Sequence, residues 1–211
     1  MAVFRGARGQ AGFTLVEMLI VIVLIGILGS IAVVTWQGFF ERQRLVQSSD
    51  RLFLTLQSTR ETAKHRHLPW QVSIRQGANR VEFAAHPADP DHTTLIALWD
   101  DPQQWEQLAP GVSIDRVNDH NQTETTITSK TIAEETVWFF LFNHQGCPVQ
   151  HSYNSCTDTL ERGRLGLRIE RGGNGPQVLR RCVILSTALG SMRQGRGHTR
   201  LDREDNKYYC Y

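Results

Sequence analysis

The chain lacks the patterns that usually mark an enzyme or a metal site. None of its four cysteines forms a CxxC pair, which argues against zinc binding and thioredoxin-like chemistry. The aspartates at 89–91 and 100–101 do not have EF-hand spacing, and the run 172–175 lacks the Lys-Ser/Thr of a phosphate loop. His144 and Cys147 are three residues apart but have no orienting third group. We therefore expect no catalytic residue, no metal and no cofactor.

Charge is missing from most of the N-terminal region. Residues 18–34 contain no charged side chain, and the apolar run from Phe13 to Val34 has the roughly 20 residues that a membrane crossing needs. A secretory signal would have a shorter apolar stretch, of roughly 7–15 residues, followed by a small-residue cleavage site. A plain anchor does not explain Glu17, because an acid within a span costs about 2.5–3.5 kcal/mol. The run therefore predicts a membrane-spanning helix in which another group neutralises the charge of Glu17.

The residues at the start of this run resemble a known processing motif. The hexapeptide GFTLVE at 12–17 is similar to the type IV prepilin motif, in which a short basic leader precedes a Gly–Phe junction. The resemblance implies that prepilin peptidase removes residues 1–12 by cleaving after Gly12, and that the new amine of Phe13 is methylated. It also implies that Glu17 pairs with the N-terminal amine of a neighbouring subunit during assembly.

The cysteines all lie in the part of the chain expected outside the cytoplasm. An even number of cysteines in an exported domain predicts two disulfides, for which three connectivities are possible. We favour Cys147–Cys156, which closes a short loop, and Cys182–Cys210, which attaches the C-terminal tail to the core. Both bridges are expected to be structural.

Hydrophobic periodicity divides the rest of the chain into a helix and a sheet domain. The assembly helix at 13–35 continues as an amphipathic helix at 36–67, which should end near His67 because Pro69 disfavours helical geometry before itself. Its aromatic side chains are expected in the core. From 68 to 211 a two-residue period predicts strands, so the fold class is α+β, with a long N-terminal hydrophobic helix packed on an antiparallel β-sheet domain. The predicted strands are 70–74, 81–83, 94–99, 112–117, 125–132, 137–142, 165–170 and 178–187, with a hairpin connection at 171–176.

Positive charge is concentrated at the C-terminal end. Residues 161–211 contain eleven basic and five acidic side chains, although the whole chain has a net charge of only +2. The glycine-rich stretch 190–197 is expected to be exposed and flexible, so that its arginines could neutralise DNA phosphates and nearby tyrosines could stack on bases. In the alternative, the arginines pair with acids at 202–205 and the tyrosines cover the core. The residues concerned are Arg193, Arg196, Arg200, Arg203, Tyr208, Tyr209 and Tyr211.

Three internal segments resemble the GspH/FimT group of minor pilins: 55–63 before a strand, 140–146, and 183–193. The resemblance implies a minor subunit of a type IV pilus or related filament. Its partners would be other pilin subunits, the prepilin peptidase/methyltransferase and an inner-membrane assembly platform. Arg5 and Arg8 follow the positive-inside rule, which places the C-terminal domain outside the cytoplasm. Two alternatives stay open: a pseudopilin of a type II secretion system, and a minor pilin that captures DNA for uptake.

Overall fold

The structure is a computed structural model and describes most of the chain after residue 12. The chain divides into two compact units, Met1–Phe40 and Glu41–Tyr211. Gly12 and the predicted hairpin connection at 171–176 lie outside the described residues. Those residues are 13–77, 80–89, 93–99, 101–117, 121–132, 134–156, 163–170, 178–185, 190–198, 200–201, 203 and 208–211.

Within the described residues, a long helix is followed by antiparallel strands, so the predicted α+β fold class is confirmed. The helices are α1 (Leu15–Arg66) and α2 (Thr93–Trp99), with a short 3₁₀ helix at Pro102–Gln104. The strands are β1 (Trp70–Gln76), β2 (Val81–Pro87), β3 (Glu106–Gln107), β4 (Ser113–Ile114), β5 (Ser129–Ile132), β6 (Glu135–Phe142), β7 (Gly163–Glu170), β8 (Val178–Leu185) and β9 (Met192–Arg196).

Local sequence explains both ends of α1. At the start, the Thr14 hydroxyl accepts a hydrogen bond from the Glu17 N–H at 3.2 Å, as the side chain of an N-cap residue does. At the end, His67 adopts a left-handed φ of 52°, and the Leu68 N–H donates to the Ala63 carbonyl at 3.3 Å. This is the hydrogen bond of a Schellman cap. The helix therefore ends one residue before the predicted position.

In the part of α1 that belongs to the first unit, nearly all side chains that the structure describes are exposed, including the aromatic ones. Phe39 and Phe40 were predicted to lie in the core, and this prediction is wrong, because they are 62% and 42% exposed. The Phe40 ring contacts the rings of Trp36 and Phe39, at centroid distances of 5.6 and 6.0 Å. Within the described residues, which leave out the side chains of 31–35 and 37, no helical stretch combines the length and hydropathy that crossing a membrane requires.

The core of the second unit joins α1 to two sheets, whose strand orders are β3-β2-β1-β6-β5 and β4-β7-β8-β9. On α1, Leu45, Leu52, Leu56 and Ala63 are almost completely buried, at spacings of seven and four residues that place them on one face. Each buried leucine contributes roughly 1.5–3 kcal/mol relative to an exposed one. The sheets supply alternate strand residues to the same cluster, among them Val72, Ile74, Phe83, Phe140, Phe142, Leu165, Leu167, Ile169, Val183 and Leu185.

The segment 94–99, predicted as a strand, is the helix α2. Asp89 caps its start by accepting hydrogen bonds from the Thr94 N–H at 2.9 Å and from the hydroxyls of Thr93 and Thr94. Leu95 is fully buried against the outer face of the first sheet, which is the face opposite the core. The periodicity of so short an apolar run does not separate helix from strand, so the cap and the packing determine the outcome. The rest of this outer cluster is Ala84, Trp105, Val137 and Phe139.

Two strand predictions were too long. In 112–117 the strand is β4 alone, and in 125–132 only β5 is regular. The residues between them bond to β7 partly through side chains: the Asp115 N–H donates to the Gly166 carbonyl at 2.9 Å, and the Gly166 N–H donates to the Thr125 hydroxyl at 3.1 Å. Because side chains satisfy part of the backbone here, no continuous ladder forms.

The stretch 190–197 was expected to be an exposed, flexible loop. Most of its residues are exposed, but the prediction of a flexible loop is wrong, because residues 192–196 form the strand β9, paired antiparallel with β8. Gly195 is buried, and a Cβ atom at this position would lie 2.6 Å from Cys182 Sγ. At Gly197, a Cβ would lie 2.7 Å from the Arg180 Cβ. These glycines permit a close approach of β9 to its neighbours, which composition alone does not distinguish from a flexible loop.

Candidate functional site

The N-terminal unit presents one carboxylate on an apolar helix. Glu17 lies in the first turn of α1, where its backbone N–H is capped by Thr14 and its side chain is exposed. Every large apolar side chain from Phe13 to Leu28 is between 44 and 82% exposed. A helix that is apolar on all sides is normally buried by other elements or partners. This surface can therefore contact further apolar helices, and an ammonium group would neutralise Glu17.

The four arginines proposed for DNA binding are all exposed, but they do not share one face. Arg193 and Arg196 are three residues apart in β9, and an odd spacing in a strand directs side chains to opposite faces. Arg193 is opposite Ile184, whereas Arg196 is opposite Arg181 on the core side of β8. Arg200 and Arg203 lie in the tail beyond β9. The basic charge is therefore distributed around this edge of the second sheet.

A small basic cluster forms where Arg196 and Arg181 are cross-strand partners. Partial burial lowers the pKa of the Arg181 guanidinium, and the positive charges of Arg196 and Arg42 lower it further, against the opposite effect of Asp50. The Gln194 amide donates to Asp50 at 2.8 Å, which holds this carboxylate close to β9. Asp50 thus compensates part of the repulsion among the three arginines.

The tyrosines of the tail are engaged within the chain. The Arg164 guanidinium lies 3.7 Å from the ring centroid of Tyr208, and that of Arg180 lies 4.8 Å from the centroid of Tyr209. The His198 ring stacks on the ring of Tyr211, at a centroid distance of 3.9 Å. The two cation–π contacts and this ring stack hold the tail on the second sheet. The idea that these tyrosines stack on nucleic-acid bases is not supported by their packing, which agrees with the alternative that they cover the fold.

Two buried acids, which the sequence analysis missed, organise the same region. Asp115 is 1% exposed and binds Arg180 Nε at 2.8 Å, with Arg168 at 3.6 Å. Glu124, also 1% exposed, accepts a hydrogen bond from the Tyr209 N–H at 2.8 Å. Asp115 neutralises part of the positive charge counted in the C-terminal quarter, and Glu124 binds the backbone of the tail. No local pattern distinguishes them from surface acids, because their partners are about 50 to 85 residues away in sequence.

The structure joins Cys147 to Cys156 and Cys182 to Cys210, which are the two bridges favoured from the sequence. The second bridge connects the buried outer face of β8 to the penultimate residue of the chain. Beside it, the tail forms backbone hydrogen bonds with β9, including reciprocal bonds of 3.1 and 3.2 Å between Arg196 and Tyr211. The bridge and these bonds fix the tail to the sheet.

One serine–histidine pair has the geometry of a nucleophile and a base. Ser73 Oγ lies 2.9 Å from His86 Nε2, and His86 Nδ1 lies 2.8 Å from the Pro87 carbonyl oxygen. Ser73 is 0% and His86 3% exposed, so a substrate cannot reach either side chain. Buried polar groups of this kind usually satisfy each other's hydrogen bonds, and we assign the pair a structural role.

Comparison with known proteins identifies the N-terminal region. Residues 7–33 match the family described as the prokaryotic N-terminal methylation motif. No curated protein and no solved structure matches the chain significantly. The α+β fold with its long N-terminal helix is consistent with the type IV pilin fold. The chain therefore carries a type IV prepilin-like N-terminal methylation motif, with Phe13 and Glu17 inside the matched residues.

Proposed function

We propose that this protein is a minor pilin, a structural and assembly subunit of a type IV pilus or related filament, most similar to the GspH/FimT type. The observation that carries the proposal is the match of residues 7–33 to the methylation motif, together with the exposure of the apolar side chains at the start of the helix that this segment includes. A filament would bury that apolar surface among the helices of neighbouring subunits. The role is structural rather than catalytic.

The proposal includes a path from the membrane to the filament. Residues 1–12 form the leader, and prepilin peptidase cleaves after Gly12 and methylates the amine of Phe13. The protein first resides in the inner membrane as a single-pass protein with its C-terminal domain outside the cytoplasm. The assembly platform then transfers it into a filament, in which residues 13–35 lie among those of other pilins.

Intact-mass analysis of the mature protein tests this path. We expect the loss of residues 1–12 together with the gain of one methyl group on Phe13. Gly12→Val should retain the leader, because the branched side chain occupies the position at which cleavage is proposed. Gly9→Val, within the same leader, should be processed normally. A mature chain that keeps residues 1–12 in the unaltered protein would rule out the prepilin assignment.

A pseudopilin of a type II secretion system is the nearest alternative, since it would have the same motif and helix. A minor pilin and a pseudopilin differ in the proteins with which they assemble, so the genes beside this one distinguish the two functions. Genes for a retraction ATPase and pilus proteins beside this one favour a pilus, whereas genes for a secretin and secretion components favour the pseudopilin.

DNA capture is a second candidate, favoured by the exposure of Arg193, Arg196, Arg200 and Arg203. Contacts to phosphates would make affinity fall with salt, and each phosphate-binding arginine removed should reduce the salt slope by about one. Because Arg193 and Arg196 point to opposite faces of β9, we expect Arg193→Ala and Arg196→Ala to differ in their effect on duplex binding. Equal slopes for the unaltered protein and a variant lacking all four arginines would refute this role.

A further inference from the structure

Three arginines from different elements of the second unit lie close together: Arg42 of α1, Arg181 of β8 and Arg196 of β9. Arg181 and Arg196 are directly opposite each other in the β8–β9 pair, and Arg42 is near enough for its positive charge to lower the pKa of the Arg181 guanidinium. Arg42 and Arg196 are exposed, and Arg181 is partly exposed. The Arg181 guanidinium has no hydrogen-bond partner among the described residues, yet none of its nitrogens is fully buried, so a ligand can reach it. We refer to these three residues as the arginine cluster.

The arginine cluster lies at the end of the second unit where the chain enters it, at Glu41. Two contacts show how α1 runs beside β9. A Cβ atom at Gly190, just before β9, would lie 2.9 Å from Arg60 Nε, whereas Gln194, further along β9, donates to Asp50 at 2.8 Å. Moving forward along β9 therefore means moving back toward the start of α1. The last residues of β9 thus lie beside the first turns of α1 in this unit.

The positive charge of the arginine cluster is not balanced within the part of the chain that the structure describes. None of the three guanidinium groups forms an ion pair or a hydrogen bond with a described residue. Asp50 lies close by, but its carboxylate accepts the hydrogen bond of the Gln194 amide. Like charges directly opposite each other in a sheet are destabilising. An anion bound between the arginines would remove this repulsion.

The position of the cluster in the chain indicates which anion would bind. Guanidinium groups bind phosphate through paired hydrogen bonds. Arg42 follows the apolar run that ends at Val34 by eight residues, which is about 12 Å of α-helix. The headgroup layer beside the hydrocarbon core is roughly 5–8 Å thick, and a long arginine side chain extends back toward it. Trp36, between the two, is exposed and belongs to a residue type that is enriched at membrane surfaces.

We infer that the arginine cluster binds the phosphate group of an anionic phospholipid while the protein is in the membrane. The inference rests on the proposed function, which places residues 13–35 in the inner membrane. A zwitterionic lipid fits less well, because the three guanidinium groups repel its ammonium group. Nucleic acid also carries phosphate, but the short distance in sequence between Arg42 and the apolar run favours a lipid. The bound lipid would hold this end of the second unit at the bilayer surface until assembly.

Titration of the full chain with two short-chain lipids tests the inference, in micelles of an uncharged detergent. Dioctanoyl phosphatidylglycerol carries the anionic phosphate, and dioctanoyl phosphatidylcholine has the same tails with an added ammonium group. Calorimetry or native mass spectrometry should show saturable binding of the phosphatidylglycerol, and at least tenfold weaker binding of the phosphatidylcholine. Arg42→Gln and Arg181→Gln should each weaken binding of the anionic lipid about fivefold.

Two arginines of β9 provide the matched comparison. Arg193 and Arg196 are both exposed, but they point to opposite faces of the strand, and only Arg196 is opposite Arg181. Arg196→Gln should weaken binding of the anionic lipid about fivefold, whereas Arg193→Gln removes the same charge and should leave the affinity unchanged. Without lipid, Arg196→Gln should raise the thermal midpoint, because it removes the repulsion with Arg181. A merely structural role of Arg196 would change the midpoint without changing the affinity.

The outcomes are separable. If Arg181→Gln does not fold, Arg42→Gln and Arg196→Gln decide the question, since both side chains are exposed. The inference is overturned if the two lipids bind equally well, or if Arg193→Gln weakens binding as much as Arg196→Gln. It is also overturned if inorganic phosphate or a short DNA duplex binds the cluster more tightly than the anionic lipid does. None of these results affects the mass analysis that tests the pilin assignment, and a retained leader would not affect the lipid titration.

Discussion

Glu17→Ala is expected to leave the protein in the membrane and to abolish its incorporation into filaments. In the proposed filament, the carboxylate pairs with the N-terminal amine of a neighbouring subunit among apolar helices. Removing one partner of a buried pair costs about 3–5 kcal/mol, because the other charge remains buried without compensation. A loss of this size reduces incorporation more than a hundredfold. Sheared filaments and membrane fractions, probed for this subunit, provide the measurement.

Two further variants separate the charge of Glu17 from other effects. Glu17→Gln keeps the shape of the side chain and removes its charge, so it should fail in the same way. Glu61→Ala removes an exposed acid from the same helix, where it pairs with Lys64 at the surface, and should assemble normally. Normal incorporation of Glu17→Ala would disprove the pairing. A retained leader in the Glu17→Ala protein would instead assign the carboxylate to processing, which intact mass would detect.

Asp115→Asn should lower the free energy of unfolding by about 3–5 kcal/mol, the largest stability effect expected in the second unit. Asp115 is 1% exposed, and the side chain of its partner Arg180 is 8% exposed, so the substitution leaves a buried guanidinium without its counter-charge. Arg168, 3.6 Å away, loses the same partner. Urea unfolding of the oxidised protein, with both disulfides intact, measures the change.

A surface ion pair provides the matched control. Arg51 and Glu106 are 2.7 Å apart, but their side chains are 55% and 54% exposed, so Glu106→Gln should cost less than about 1 kcal/mol. Combining Asp115→Asn with Arg180→Met should recover much of the lost stability, because no buried charge is then left alone. Similar losses for Asp115→Asn and Glu106→Gln would show that the buried ion pair stabilises the second unit no more than the surface pair does.

The parts of the fold that were predicted correctly depend on short-range pattern. The end of α1 follows from residues adjacent to it, and its buried face follows from Leu45, Leu52 and Leu56 at helical spacing. The β1 and β6 strands alternate clearly between core and outer residues. In these elements the spacing of apolar residues along the sequence is sufficient to predict which side chains are buried.

The incorrect predictions concern residues whose environment depends on distant segments. The run 94–99 is a helix because Asp89 caps it and Leu95 packs on the first sheet. The glycines of β9 allow a strand to approach the Cys182–Cys210 bridge, although the same composition is typical of a loop. Phe39 and Phe40 continue the apolar pattern of the buried α1 residues, yet they lie in the first unit and are exposed. Composition and period contain no information about these long-range contacts.

The sequence by itself determined the N-terminal methylation motif, because such a motif is recognised from consecutive residues: the Gly–Phe junction, the carboxylate at Glu17 and the uncharged run that follows. Only the tertiary structure decided how the polar and charged residues of the second unit are used. It brought Asp115 to Arg180 across 65 residues, and it placed Ser73 beside His86 across 13 residues. Whether a charge is buried or a hydrogen bond is satisfied depends on which strands become neighbours, and that is set by packing of the whole unit.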